Sequence, residues 1–344
     1  MARLQQLKII DKIKAAGLVG RGGASYPVAA KWLAVKESLK KAKLAFIVAN
    51  GAEGEPGVKK DGHILKNYPE ELLNGLFLAD QFLGSKQVER IFLYLNEDYF
   101  RRYAKKIIGL LEASKYRLLR RKFDFFVKPQ DLSYISGEET TILNLIEGRR
   151  SEPRLRPPYP IQRGLFGYPT LINNLETFYN IALVSRHNYH YQRFYTITGA
   201  VRRPGVYALA ENLSVEDILK NTDNYPVAPF FTVVGGGVSG EALRSDQLAV
   251  AVEGAGSIIV YDEKRTDKKQ LLKYWLNFYN NQSCGQCTIC REGTYRLEEI
   301  INNKIFDEET FKEILEVMAD SSFCALGAAL PVIVKSYLNN IGLK

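Results

Sequence analysis

The pattern of apolar and polar residues over the first 130 positions predicts alternating strands and helices. Mostly apolar runs of five residues, typical of buried strands, occupy 45–49, 91–95 and 123–127. Helical periodicity with one apolar face occupies 72–83 and about 98–113. Strands separated by helices predict an α/β, Rossmann-like domain with a mostly parallel sheet. The ligand site of such a sheet lies beyond the carboxyl ends of its strands, where the polar loop 50–57 follows the first strand.

The N-terminal segment predicts an amphipathic helix. Leu4, Leu7, Ile10 and Ile13 recur at helical spacing with lysines between them. A secretory signal needs an uninterrupted apolar core, which this segment lacks. Nowhere does an apolar run approach the roughly 18 residues of a membrane-spanning helix. We therefore expect no signal peptide and no direct membrane insertion.

The pattern of predicted secondary structure changes near residue 190 and again near residue 268. Short strands are predicted at 195–199, 205–207, 230–234 and 257–260, with a short helix capped by Ser214. Helices are predicted at 268–280, 290–303, 308–318 and 324–337. The expected domains are therefore an α/β domain at 1–188, a small α+β, β-grasp-like domain at 189–264, and a helical domain at 265–344.

Composition and charge narrow the class of protein. The chain has 344 residues, 46% hydrophobic and 25% charged, which is ordinary for a globular protein of two or three domains. The formal net charge is +9. No basic motif interleaved with aromatic residues appears, so we expect no nucleic-acid partner and interpret the charge as a surface that docks something acidic.

The four cysteines form one group. Cys284, Cys287 and Cys290 are spaced as C-x2-C-x2-C, and Cys324 follows in the next part of the helical region. Three ligands in a tight turn with a fourth from elsewhere are typical of a [4Fe–4S] cluster. A four-thiolate zinc site is the alternative, although such sites usually pair two separate C-x2-C knuckles.

Two loops are candidates for binding a nucleotide. Residues 20–27 are rich in glycine and precede a helix that opens near Pro27, with Lys31 one turn into it. Glycine permits close backbone approach, and a helix N-terminus favours anions. The loop does not match the dinucleotide fingerprint, and a simple tight turn is the alternative. In loop 50–57, Glu53 and Glu55 are candidates for contacting ribose hydroxyls, or they belong to a solvated acidic turn.

Taken in order, these features resemble one family, the NADH- and FMN-binding flavoprotein subunit of respiratory complex I, with relatives in NAD-linked hydrogenases and formate dehydrogenases. The matching segments cover nearly the whole chain and are 17–27, 31–32, 50–57, 134–140, 153–160, 164–167, 169–177 and the cysteine site. Several different motifs in one order are specific to this family. The middle module resembles the family's ubiquitin-like domain, and the helical region would carry the [4Fe–4S] cluster.

The resemblance implies a role for individual residues. The residues expected at FMN are Gly20, Arg21, Gly22, Lys31, Asn50, Glu53, Tyr134, Gly137, Glu138, Asn173, Asn174 and Thr177. The residues expected at NADH are Tyr26, Glu55, Glu139, Arg156 and Tyr159. The cluster ligands would be Cys284, Cys287, Cys290 and Cys324. No catalytic acid or base is expected, because hydride passes directly from nicotinamide to flavin.

The implied function is that of an NADH dehydrogenase, the electron-input subunit of a larger complex. The expected partners are a thioredoxin-like [2Fe–2S] subunit and a larger multi-cluster iron–sulfur subunit, with quinone as the final acceptor through them. The expected location is cytoplasmic, peripheral at the cytoplasmic face of the membrane when the complex is membrane-bound.

The chain departs from the family pattern at Ala52, usually Asp, and at Ala34, usually aromatic. A scaffold or electron relay without NADH, and a flavoenzyme with another donor, are the alternatives.

Overall fold

The computed structural model describes residues 2–303 and 305–343, which form two compact units. The first unit comprises Met1–Glu53, Lys59–Leu132 and Ser136–Gln192. The second comprises Gly54–Val58, Ser133–Ile135 and Arg193–Lys344. Two short segments next to the predicted FMN residues thus belong to the second unit, although the chain around them belongs to the first.

The first unit is built on a four-stranded parallel sheet. Its strands are β1 (Ala45–Gly51), β2 (Val88–Asn96), β3 (Phe123–Lys128) and β4 (Thr170–Asn174), in the order β3-β2-β1-β4. The three predicted strands and the parallel arrangement are confirmed. β4 was not predicted, because its five residues are too short and too polar to give a strand pattern. The strand order reverses between β1 and β4, which is where open parallel sheets bind ligands.

Nine α-helices are described in the first unit. They are α1 (Ala2–Ala15), α2 (Val28–Ser38), α3 (Lys60–Asn67), α4 (Pro69–Leu83), α5 (Glu97–Leu111), α6 (Arg117–Arg120), α7 (Glu139–Ile146), α8 (Pro160–Arg163) and α9 (Leu175–Ser185). Short 3₁₀ turns occupy Ser114–Tyr116, Tyr134–Gly137 and Leu165–Gly167. In α1 the predicted apolar residues Ile10 and Ile13 are buried, whereas the side chains of Leu4 and Leu7 lie outside the described residues.

The second unit contains a mixed five-stranded sheet and the C-terminal helices. The strands are β5 (Gln192–Gly199), β6 (Gly205–Ala210), β7 (Phe230–Val234), β8 (Glu241–Arg244) and β9 (Ser257–Asp262), in the order β6-β5-β9-β7-β8. The helices are α10 (Val215–Asn221), α11 (Lys268–Gln282), α12 (Thr288–Asn302), α13 (Glu308–Ser321) and α14 (Ala325–Asn340). Ser214 caps α10 as predicted, in a capping box with Asp217. The predicted elements are confirmed, with β8 in addition.

Both faces of the second sheet are buried. Phe230 and Val234 of β7 pack with α10 in one core, and Phe231 and Val233 pack with Trp275 and the C-terminal helices in another. Successive side chains of a strand point to opposite faces of the sheet, so neighbouring residues of β7 contribute to different cores. The β-grasp-like and helical regions therefore share a core within one unit, and the separate domains at 189–264 and 265–344 stay a prediction. No helix within the described ranges is long and apolar enough to cross a membrane.

A glycine in α4 sets the distance between α4 and α9. A Cβ added at Gly75 would lie 2.0 Å from the Phe178 carbonyl oxygen, whereas one added at Gly109 of α5 would meet nothing within 4 Å. We expect Gly75→Ala to lower the unfolding free energy by about 1–3 kcal/mol through overpacking. Gly109→Ala should raise it by about 0.5–1 kcal/mol, because alanine loses less backbone entropy. Equal melting temperatures for the two variants would contradict this packing.

Candidate functional site

Polar side chains of the first unit gather at the carboxyl ends of β1 and β4. Asn50 and Asn174 are register partners, and Asn174 Nδ2 donates to the Asn50 carbonyl over 3.2 Å. The glycine loop approaches the same point, since a Cβ added at Gly22 would lie 3.5 Å from Asn174 Cβ. These polar side chains therefore lie at the reversal of strand order, at the sheet edge beyond β1 where the sequence places the predicted ligand site.

The glycine loop is a closed turn with an open outer side. Gly20 N donates to the Tyr26 carbonyl over 2.9 Å, and Arg21 N donates to Thr177 Oγ1 over 3.0 Å. Gly23 has φ of 108°, which favours glycine, and a Cβ there would meet nothing within 4 Å. The loop leads into the N-terminus of α2, where backbone N–H groups and the helix dipole favour an anion.

Asn174 is held by four hydrogen bonds within the protein. Its Oδ1 accepts from Lys60 Nζ (2.7 Å) and from Glu176 N (3.0 Å). Its Nδ2 donates to the Asn50 carbonyl and to Asp61 Oδ2 (2.7 Å). A primary amide has two acceptor positions and two N–H donors, so its capacity is used completely. Asn174 therefore links the residues around the pocket to one another, and its side-chain amide has no hydrogen-bonding position left for a ligand.

Lys60 is a buried cation at the centre of the hydrogen-bond network around Asn174. It forms ion pairs with Asp61 (3.1 Å) and Glu176 (3.2 Å), and all three side chains are at most 3% exposed. Burial alone lowers the pKa of Lys60, but the neighbouring Asp61, Glu176 and Glu53 carboxylates outweigh it, and the net pKa is raised. Lys60 therefore keeps its charge. Neither Lys60 nor Asp61 was expected from the sequence, where they follow loop 50–57 as an ordinary charged pair.

The Glu53 carboxylate accepts hydrogen bonds from backbone N–H groups at the N-terminus of α3. Its Oε1 accepts from Asp61 N (2.6 Å), and its Oε2 accepts from Gly62 N (3.0 Å) and from the Tyr99 hydroxyl. Burial, and then the nearby Asp61, raise the pKa of Glu53 to about 7. This carboxyl group therefore titrates near neutral pH, and its oxygens are engaged by the backbone of α3.

Two further asparagines shape the same pocket. Asn50 Nδ2 donates to the Gly137 carbonyl (3.0 Å), and its Oδ1 accepts from Ala52 N (3.2 Å). In the orientation that satisfies both of its ends, the Asn173 amide accepts from Trp32 Nε1 and donates to the Ile172 carbonyl, each over 3.0 Å. These side chains fix the loops around the pocket.

A chain of ion pairs joins residues predicted for both nucleotides. Glu139 lies 3.5 Å from Lys31 and 3.2 Å from Arg156, which also lies 3.4 Å from Glu138. The Glu138 carboxylate caps α7, accepting from Thr140 N (2.8 Å). The structure thus brings Lys31, Glu138, Glu139 and Arg156 together.

The two tyrosines predicted to stack on the nucleotide are accessible. Tyr26 is 50% exposed and Tyr159 is 49% exposed.

Tyr134 and Glu55 lie in the second unit and contact each other. The Tyr134 hydroxyl donates to Glu55 Oε2, and Glu55 Oε1 accepts from Val238 N (3.0 Å) and Ser239 N (3.1 Å). A Cβ at Gly236 would lie 2.5 Å from Glu55 Oε1, so the loop 235–239 closes tightly on this carboxylate. Glu55 was expected at NADH, but here its carboxylate is bound by backbone N–H groups.

The four cysteines surround one pocket at the ends of helices. Cys287 and Cys324 are the residues immediately before α12 and α14, Cys290 lies in the first turn of α12, and Cys284 follows α11. The pocket is lined by Ile135, Ser283, Cys284, Gln286, Cys287, Cys290, Phe323, Cys324 and Leu326. The N-termini of α12 and α14 favour negative thiolates.

The four thiols share one pocket. A [4Fe–4S] cluster takes four thiolate ligands, and all four cysteines of the chain line this pocket. Burial raises the pKa of Cys290 to about 11, with further contributions from the other three cysteines, against a hydrogen bond from Ser283. Bound iron would relieve this cost, because metal binding deprotonates thiols.

Comparison with known proteins identifies both regions. Residues 13–183 match the model described as the Nuo51 FMN-binding domain, and residues 270–342 match the NADH-ubiquinone oxidoreductase-F iron–sulfur binding region. The F subunit of NADH-quinone oxidoreductase from Mycobacterium tuberculosis is 30% identical over 367 residues, covering 94% of this chain and 81% of that protein. This chain belongs to the family of NADH-quinone oxidoreductase F subunits.

Other members of the family are similar over the same span. The F subunit from Aquifex aeolicus is 29% identical over 362 residues, covering 96% of this chain and 83% of that protein. Among solved structures, a chain of an NAD⁺-reducing [NiFe]-hydrogenase in the H₂-reduced state superposes with a TM-score of 0.88 at 27% identity. The match covers 97% of this chain but 61% of the hydrogenase chain.

The residues that this chain presents fit FMN and a [4Fe–4S] cluster. The glycine loop leaves an open backbone cradle before α2, and Lys31 supplies a half-buried cation beside it. This donor set suits a phosphate group. The four thiols supply the ligand set of a [4Fe–4S] cluster, so the zinc alternative is set aside. Most of the predicted FMN residues use side-chain polar groups within the protein, among them Asn50, Glu53, Tyr134, Glu138, Asn173, Asn174 and Thr177.

Stability of the first unit should depend on the titration of Glu53. The folded state holds this proton more tightly than an unfolded chain with a pKa of 4.5. The stabilisation is therefore complete below pH 4.5 and is lost as the pH rises through about 7. We expect the melting temperature of the wild type to fall more steeply than that of Glu53→Gln between about pH 5 and pH 8. Glu37→Gln, at an exposed position, is the control, and parallel curves for all three proteins would refute the assignment.

Removal of the Asn174 side-chain amide should lower the stability of the flavin-free protein. Asn174→Ala removes one hydrogen bond from buried Lys60 Nζ and one from buried Asp61 Oδ2, so we expect the unfolding free energy to fall by about 1–3 kcal/mol before any FMN is added. Lys31→Met should instead weaken FMN binding with little change in the flavin-free melting temperature. The measurements are thermal melting without flavin and FMN titration by fluorescence. An Asn174→Ala protein of unchanged stability that no longer binds FMN would make Asn174 a direct ligand.

Proposed function

We propose that this chain is the electron-input subunit of a multi-subunit oxidoreductase, an NADH dehydrogenase subunit that binds NADH and FMN in its first unit and a [4Fe–4S] cluster in its second. The observation that carries the proposal is the meeting of the glycine loop, Lys31, Glu139 and Arg156 at the switch point of a parallel sheet. Bound FMN would supply the hydride-accepting and one-electron chemistry that the protein's own side chains lack.

The chain's own residues supply binding and orientation. Backbone N–H groups of loop 20–27 and the Lys31 ammonium group would hold the FMN phosphate. Asn50, Glu53, Glu138 and Asn174 would act by fixing the loops, because their hydrogen bonds are made within the protein. A hydrogen-bond network that fixes the loops suits a pocket that must hold two nucleotides close together and needs no catalytic acid or base.

NADH would be held by the exposed side of the same pocket. Tyr26 and Tyr159 offer accessible rings for stacking on the nucleotide, and Arg156 offers a guanidinium group beside Glu139. Glu55 is better interpreted as an anchor of segment Gly54–Val58 on loop 235–239, since three donors already satisfy its carboxylate.

The neighbouring subunits are inferred from the family. We expect a thioredoxin-like [2Fe–2S] subunit and a larger multi-cluster iron–sulfur subunit to take electrons from the cluster, with quinone as the final acceptor. Ala34 and Ala52 keep two alternatives open to test, a subunit that has lost NADH and one that uses another donor. Ala52 is buried in the same apolar cluster as Phe46 and Tyr94, so its methyl group is part of a core of the first unit.

An anaerobic NADH titration of the FMN- and iron-reconstituted protein tests the proposal. We expect near-stoichiometric bleaching of flavin absorbance in the wild type. Cys324→Ser should keep this bleaching but lose the cluster's absorbance and paramagnetic signal, because one of its four ligands is removed. Flavin that stays bound but unbleached would point to another donor. A protein that retains no flavin would support the scaffold alternative.

A further inference from the structure

The excess positive charge of the chain is concentrated in one short segment. Residues 101–122 contain nine of the 47 Lys and Arg residues and one of the 38 Asp and Glu residues, Glu112. The remainder therefore holds 38 basic and 37 acidic residues and is nearly neutral. The basic residues of the segment are Arg101, Arg102, Lys105, Lys106, Lys115, Arg117, Arg120, Arg121 and Lys122.

The fold presents this segment as a surface. It includes most of α5, the 3₁₀ turn Ser114–Tyr116 and α6, next to the edge strand β3. Ala104, Ile107, Leu111, Tyr116 and Leu119 are buried and anchor it to the first unit. Eight of the nine basic side chains are exposed, Lys122 being the half-buried exception. We call the exposed part of residues 101–121 the α5–α6 surface.

Part of the positive charge on the α5–α6 surface is not neutralised by a carboxylate. Arg101 and Arg102 pair with acidic residues of the first turn of α5, and Lys115 and Arg120 pair with Glu70 and Glu112. Across the described residues, no ion pair is found for Lys105, Lys106, Arg117 and Arg121. Lys106 donates to the Lys66 carbonyl, which leaves its charge uncompensated. These four cations are available to an acidic external partner.

The surroundings of these cations favour a protein partner. Ile108 (40% exposed) and Leu118 (54% exposed) lie among them, which gives apolar spots within a charged rim, as in protein–protein interfaces. Binding of single-stranded nucleic acid usually adds exposed aromatic rings for stacking. Here Tyr116 is buried and Tyr103 is half-buried. A membrane-surface helix needs a broad apolar face, which two separated side chains do not provide.

We infer that the α5–α6 surface docks an acidic face of a partner subunit within the complex, an inference that rests on the proposed function. The positive charge would steer association and fix the orientation of the two proteins. Arg117, Leu118 and Arg121 would form its centre, with Lys105 and Lys106 on the adjoining helix.

Zero-length carbodiimide cross-linking of the native complex, purified through a tag on this chain, tests the inference directly. The reagent joins amines to carboxylates in contact, so Lys105, Lys106 and Lys115 are reporters. We expect at least one of them to link to an Asp or Glu of another subunit. If other subunits co-purify but these lysines are acetylated as readily in the complex as in the isolated chain, the surface is free and the inference is wrong. A wild-type chain that purifies alone would overturn the proposed function as well.

A charge-reversal variant gives a second readout. Lys105→Glu, Lys106→Glu, Arg117→Glu and Arg121→Glu together should weaken assembly about tenfold at about 0.15 M salt, with a smaller effect at about 1 M, where charges are screened. The matched control reverses Lys41, Lys43, Lys264 and Lys269, which are exposed elsewhere and change the net charge equally. Flavin content and melting temperature of both variants verify that they fold.

Vesicles containing phosphatidylserine and a DNA duplex serve as competing probes. Binding of the wild type to either, lost in the charge-reversal variant while subunit assembly is unchanged, would overturn the inference in favour of that ligand. Reduced assembly in the charge-reversal variant but not in the control, with no binding to vesicles or DNA, supports an acidic protein face.

Discussion

The pocket of the first unit depends on one buried cation and one amide. Lys60 lies between Asp61 and Glu176, and its ammonium group also donates to Asn174. A buried charge is stable only when it is paired and its hydrogen bonds are made, so these side chains must be positioned together or not at all. The amide of Asn174 then joins the ends of β1 and β4 to α3 and α9. The glycine loop is seated on this assembly through Gly22 and Thr177.

This arrangement separates residues that build the pocket from residues that we propose face a ligand. The side chains of Asn50, Glu53 and Asn174 are polar and belong to the family's motifs, yet their hydrogen bonds are used within the protein. Lys31 and Arg156 contact the Glu138 and Glu139 carboxylates and the Ile172 carbonyl, and Tyr26 and Tyr159 keep about half of their surface exposed. A site for direct hydride transfer requires fixed geometry more than acid–base chemistry, and a saturated network supplies this rigidity.

The cysteine pocket of the second unit depends on helix ends and not on a network of polar side chains. Three of its four cysteines lie where helices begin, so the backbone provides N–H groups, and the turn after α11 brings Cys284 close to them in the chain. The unit also captures Glu55 and Tyr134, which come from segments that interrupt the first unit. Loop 235–239 could be identified in the sequence as a glycine-rich strand end, but nothing in its composition indicates that it binds a carboxylate.

The sequence by itself determined the α/β character of the first unit, the four C-terminal helices, the grouping of the four cysteines and the family. These depend on local periodicity and on ligands or motifs that are close in the chain, so no distant partner needs to be known. Only the tertiary structure decided that β4 completes the sheet, that Lys60 is a buried brace, and that Glu55 is engaged by loop 235–239. Each of these depends on contacts between residues more than 100 positions apart, such as Lys60 with Asn174 and Glu55 with Val238, and local patterns carry no information about such pairings. The concentration of charge in residues 101–122 is visible in the sequence, but its exposure and incomplete pairing follow from the fold.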